Sequence, residues 1–151
     1  MTPKVHDSIG SNSINAIEKL ENHLGVRFTL QYREFLSKYN GGYPEPDGFL
    51  FKNRIDGSSV DRFLGINVGE HNNLEDYFFT YKNRISKKLF PIAHDPGGNL
   101  ILIGLSGEEL DKIYFWDHEE EADGWNPDMT NVYLIADNLE EFLSGLYEID
   151  I

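Results

Sequence analysis

The chain has 151 residues, enough for one domain with a sizeable core, and 13% of them are aromatic, which argues against disorder. Its 26 Asp and Glu against 13 Lys and Arg give a formal charge of −13, a balance that repels phosphate backbones and excludes direct nucleic-acid binding as an expectation. There is no cysteine, so disulfides, thiolate catalysis and thiolate metal sites are excluded together.

Residues 1–12 are polar and contain Gly and Ser, which predicts a flexible arm ahead of a domain spanning 13–151. They lack the apolar core of a signal peptide, and no apolar run approaches the roughly 18–20 residues of a membrane span. The expectation is a cytoplasmic protein without a membrane partner.

A first helix is predicted to begin near Ser13 or Asn15, with Glu18 as capping-box partner of Asn15. Ile14, Ile17, Leu20 and Leu24 recur at helical spacing, and Gly25 stands where a glycine ends a helix. Thr29 opens a second helix with Tyr32, Phe35, Leu36 and Tyr39 as its apolar stripe. Asn40-Gly41-Gly42 stops it, and Pro44 and Pro46 predict a loop over Tyr43–Asp47. Gly48–Phe51 reads as a short strand, Gly57-Ser58-Ser59 as a turn and Val60–Ile66 as another strand. Asn72 or Asn73 starts a third helix carrying Leu74, Tyr77, Phe78 and Tyr81 on one face.

The stretch from Leu89 to Glu121 organises the rest. Three strands are expected in succession, Phe90–Ala93, Asn99–Leu105 and Lys112–Asp117, joined by turns at Asp95-Pro96-Gly97-Gly98 and Ser106–Glu109. Gly97 and Gly98 are expected to supply the positive φ of a tight turn. Leu100–Leu105 is almost wholly apolar, which suits a central strand covered on both faces. An acidic loop, 119–128, precedes a strand at Val132–Ile135. Asn138 opens the last helix, with Glu141 at its third position and Leu139, Phe142, Leu143 and Leu146 turned inward. Helices, then a run of strands, then a closing helix describe an α+β domain.

Candidate chemistry is sparse. His94-Asp95 and Asp117-His118 are metal-ligating types near strand ends, and a metal-dependent hydrolase built on them is the enzyme alternative. Neighbours on an extended strand point to opposite faces, so each pair offers one ligand per face. Asp95 is better explained as a turn-former accepting backbone N–H groups across Pro96-Gly97. The glycines lead into a strand rather than a helix, which does not suit a phosphate cradle. No G-x-S-x-G occurs. Glu108-Glu109 and Glu119–Glu121 read as solvated carboxylates. Trp116 lies within a strand and is expected in the core, whereas Trp125, set among acidic residues, suits an interface anchor or a cover for the sheet edge.

Taken together, these residues resemble the SUKH superfamily. Ile17, Glu18 and Leu24-Gly25, then Tyr32-x-x-Phe35-Leu36 and Tyr39-Asn40-Gly41-Gly42, look like its opening motif. Phe90-Pro91-Ile92-Ala93-x-Asp95-x-Gly97-Gly98-Asn99 and Ile113–Glu119 look like its central motif. Ala136-x-Asn138-Leu139-x-x-Phe142-Leu143 looks like its closing helix. Thr29 stands where the family usually has proline, and Asn138 where serine is common.

The resemblance implies a mostly antiparallel mixed sheet with helices packed mainly on one side, and a role without catalysis or cofactor. Bacterial members are immunity proteins that neutralise a toxin domain, often a nuclease, by binding it. Fungal members regulate cell-wall glucan synthesis as interaction hubs, and a regulatory scaffold of that kind is the second alternative. A nuclease carries a basic surface, so the acidic balance suits a basic toxin as partner. The expected contact residues are Glu119, Glu120, Glu121, Asp123 and Trp125. Asp95, Gly97, Gly98, Asn99 and Trp116 are expected to serve the fold.

Overall fold

The computed structural model describes residues 3–52, 55–120 and 129–149. Within the expected arm, Lys4–His6 forms β1, paired antiparallel with β2 (Tyr43–Glu45), so that Val5 faces Pro44. The proline-containing stretch expected as a loop is thus a strand at the edge of a small ladder, where proline is tolerated. Ile9 donates its N–H to the Asn40 carbonyl, and buried Asn12 donates its side-chain amide to the Leu36 carbonyl.

Ser13 is the cap of α1 (Ile14–Leu24), its hydroxyl accepting the Ala16 N–H at 3.1 Å. Ser13 rather than Asn15 starts the helix, which puts Ile14 in the first turn and in solvent, while Ile17, Leu20 and Leu24 are buried. Gly25, at φ 70°, ends it. Thr29 caps α2 (Leu30–Lys38) by accepting the Tyr32 N–H, so the residue in place of the usual proline still starts the helix. Tyr32, Phe35 and Leu36 are buried.

Two differences from the expected elements follow. Gly57–Ser59, expected as a turn, is β4 and pairs with β3 (Gly48–Leu50). A Cβ on Gly57 would lie 2.0 Å from the Phe49 carbonyl oxygen, so only glycine fits this close pairing. The long strand expected over Val60–Ile66 shrinks to β5 (Arg62–Phe63). The Asn40 side chain takes both the N–H and the carbonyl of Ile66, and Gly65 turns its N–H to Asn72, so the ladder has no donors to continue with. Next, α3 (Leu74–Tyr81) begins after Asn73, whose side chain serves Val68 and Gly69 instead of capping the helix.

The three-strand meander forms as β6 (Leu89–His94), β7 (Leu100–Gly104) and β8 (Ile113–Trp116). With β9 (Val132–Ala136) it completes an antiparallel sheet ordered β5-β6-β7-β8-β9. Every residue of central β7 is buried. One face, including Phe90, Ile92, Ile101, Ile103, Ile113 and Phe115, packs against α1, α2 and α4 (Leu139–Ser144). The other face, with Leu100, Leu102, Tyr114 and Trp116, is covered by Tyr77 and Tyr81 of α3 and by Ile85. Each fully buried Leu or Ile stabilises the fold by about 1.5–3 kcal/mol, so the two-sided meander dominates cohesion. Asn138 caps α4 by accepting the Glu141 N–H, and Glu141 reaches back to the Asp137 N–H. The whole is a single-domain α+β fold with its main helical layer on one side.

Candidate functional site

The turn after β6 converges on one carboxylate. Asp95 is 5% exposed. Its Oδ1 accepts the N–H groups of Gly97 (2.9 Å) and Asn99 (2.8 Å), and its Oδ2 accepts the Ser58 hydroxyl (2.8 Å) and the Asn99 side-chain amide (3.0 Å). Burial pushes the Asp95 carboxyl up, but the hydrogen bonds from Asn99, Ser58 and Gly97 outweigh it and hold the group below the usual carboxylate range. Of the two glycines, Gly98 alone has positive φ, at 86°.

Asn99 carries the connection onward. Its side-chain oxygen accepts the His118 N–H at 2.9 Å, and His118 Nε2 sits 2.9 Å from the Gly97 carbonyl. His118–Glu120 forms a single 3₁₀ turn, with the Glu119 N–H donated to Asp117 Oδ1. The turn after β6, β4 and the segment leaving β8 are therefore tied at one point.

Beside this point lies an open cleft of about 750 Å³. Phe51, Asp56, Asp95, Asp117, Glu119, Glu120 and Tyr133 are among the residues that line it. Phe51 and Tyr133 stack in parallel, centroids 5.2 Å apart at 6°. The Tyr133 hydroxyl donates to Glu120 Oε1 at 2.5 Å, which raises the hydroxyl's own titration. Among the described residues that line the cleft, five are carboxylates and none is Lys or Arg. Such a hollow attracts a cation or a basic side chain.

The expected contact residues divide. Glu119 and Glu120 both line the cleft, while Glu121, Asp123 and Trp125 lie outside the described residues. Trp116 is on the opposite face of the sheet, 1% exposed, edge-on to Tyr81 and with the Arg84 guanidinium 5.4 Å from its ring. Phe51, Asp56, Asp117 and Tyr133 were not expected in a partner site. Phe51, Asp56 and Tyr133 come from segments distant in sequence from Glu119, with no local spacing to announce them, whereas Asp117 precedes Glu119 by two residues.

The four residues of the hydrolase alternative do not converge. His94 points to α3, with Nε2 2.7 Å from Asn72 Oδ1, Nδ1 3.4 Å from Asp61 Oδ2, and its ring parallel to Tyr77. Asp95 and His118 are engaged as described. Among the described residues, no group of three or more His, Asp or Glu is arranged to hold a metal ion. No helix there is long and apolar enough to cross a membrane.

The structure is a small α+β domain with a two-sided antiparallel meander and an acid-lined cleft beside the turn after β6. The chain belongs to the SMI1/KNR4 family (SUKH-1), whose model matches residues 12–145. It is 30% identical over 155 residues to the SPbeta prophage-derived uncharacterized protein YokK of Bacillus subtilis (strain 168), covering 91% of this chain and 76% of that protein.

Proposed function

We propose that this protein is a cytoplasmic immunity protein that neutralises a cognate basic toxin domain, a nuclease, by stoichiometric binding and without catalysis. The observation that carries the reading is the acid-lined cleft on a chain of net charge −13. A nuclease must present a basic surface to hold nucleic acid, and an acidic binder seated there excludes substrate. Membership of the SMI1/KNR4 family and the likeness to a prophage-derived protein support it.

Affinity capture from the source cells tests this with two baits, the native protein and one carrying Asp56→Asn, Asp117→Asn, Glu119→Gln and Glu120→Gln. The expected result is a single basic partner near one-to-one, toxic when expressed alone and harmless when co-expressed with the native chain. The substituted bait should recover it with an association rate at least about tenfold slower at low salt. A set of cell-wall or regulatory proteins without toxicity would replace immunity with the scaffold reading. A toxic partner held equally by both baits would keep immunity and move the interface.

A further inference from the structure

The cleft is more specific than its charge alone. Tyr133 and Phe51 stack face to face, and Phe51 in turn lies 5.0 Å from Phe115, so the cleft has a continuous aromatic side. Glu120 is held at the edge of that side by the Tyr133 hydroxyl. The Asp56 and Glu119 side chains, by contrast, are exposed and have no hydrogen-bond or ion-pair partner among the described residues. The Asp95 carboxylate is already satisfied by Ser58, Gly97 and Asn99. What the cleft holds besides is a cluster of aromatic rings and, lining the same hollow, two carboxylates without a partner among the described residues.

We propose that this cleft is a slot for an arginine side chain presented by the protein partner, its guanidinium lying on Tyr133 and bridging the carboxylates of Asp56 and Glu119. The inference rests on the reading that this face captures a basic protein. A guanidinium matches both halves of the slot: its plane stacks on an aromatic ring, and its forked N–H groups pair with carboxylates two at a time. A lysine ammonium matches only the charge. It is compact and strongly hydrated, and it gives up more water to enter such a site. No lysine or arginine is among the described residues that line the cleft, so none of those residues supplies a cation to its carboxylates.

Titration of the full-length protein with Nα-acetyl-argininamide and, separately, Nα-acetyl-lysinamide, followed by amide NMR, tests the slot without any toxin in hand. The arginine probe should give saturable shifts confined to the amides of Gly57, Phe115, Asp117 and Tyr133. The lysine probe should bind about two- to fivefold more weakly, the ratio expected for one exposed aromatic contact. Tyr133→Phe keeps the ring and should keep that preference, whereas Tyr133→Leu should abolish it. If Tyr133→Leu fails to fold, Asp56→Asn with Glu119→Gln serves instead, both positions being exposed, and should weaken both probes. Equal affinity for the two probes, shifts mapping elsewhere, or no saturable shift would overturn the slot. Immunity itself would survive any of these results if the native bait still captures a toxin, so the two readings fail separately.

Discussion

At the scale of single residues, Asp95 shows how a buried charge is made tolerable. An ionised carboxylate in an apolar place is costly unless its lone pairs are filled, and here four donors fill them. Asp95→Asn removes the charge from four charge-assisted bonds and turns an N–H₂ toward donors, so it should cost about 2–3 kcal/mol at neutral pH. Because the folded carboxyl titrates below its unfolded value, this stabilisation is present above the unfolded value of about 4 and is lost as pH falls through the folded one. Urea unfolding of both proteins from pH 7 downward should therefore show their difference shrink only in the acid range. A constant difference down to acid would mean that Asp95 acts by shape and not by charge. Tyr32 is the opposite case. Its hydroxyl is buried with no hydrogen-bond partner among the described residues, and burial pushes its titration up. Tyr32→Phe should leave stability unchanged or raise it by up to about 1 kcal/mol, and a clear loss in thermal melting would reveal a partner for that oxygen.

At the scale of elements, what was legible in the sequence was whatever depends on local pattern. The starts of α2 and α4 follow from Thr29 and Asn138 as caps, and the apolar run in β7 marks a strand buried on both faces. The elements that were not legible owe their state to distant backbone. Lys4–His6 is a strand because Tyr43–Glu45 lies beside it, and Gly57–Ser59 because Gly48–Leu50 does. Three-residue strands carry too little periodicity to show. The cleft was half legible for the same reason: Glu119 and Glu120 stand out as an acidic run, but Phe51, Asp56 and Tyr133 join them only through the fold. A truncation tests the largest of these differences. Deleting residues 1–8 removes the β1 ladder and the bond that the Asn40 N–H donates to the Ser8 hydroxyl oxygen, and should cost about 2–3 kcal/mol at roughly 1 kcal/mol per lost hydrogen bond. Chemical denaturation decides it: a loose arm would leave the midpoint unmoved.

At the scale of the molecule, the charge of −13 is both a means of recruitment and a source of strain. Like charges repel across the whole surface, and a compact acidic chain is destabilised by its own field. The cleft concentrates that cost, since Asp56, Asp117, Glu119 and Glu120 share it without a lysine or arginine among the described lining residues. If these carboxylates served stability alone, neutralising them would be harmless or damaging. If they are held for a basic partner, neutralising them should relieve repulsion while removing attraction. Asp56→Asn together with Glu119→Gln, neither of which holds a structural hydrogen bond with its side chain among the described residues, should therefore raise stability by about 0.3–1 kcal/mol at low salt. The gain should fade in 0.5 M salt, where the screening length drops to about 4 Å. The same pair should slow association with the captured basic partner, most steeply at low salt, while changing dissociation less. Stability and capture moving in opposite directions identifies carboxylates kept for binding. A loss of both would instead make them part of the scaffold, and the partner's contact would then have to be sought on another face.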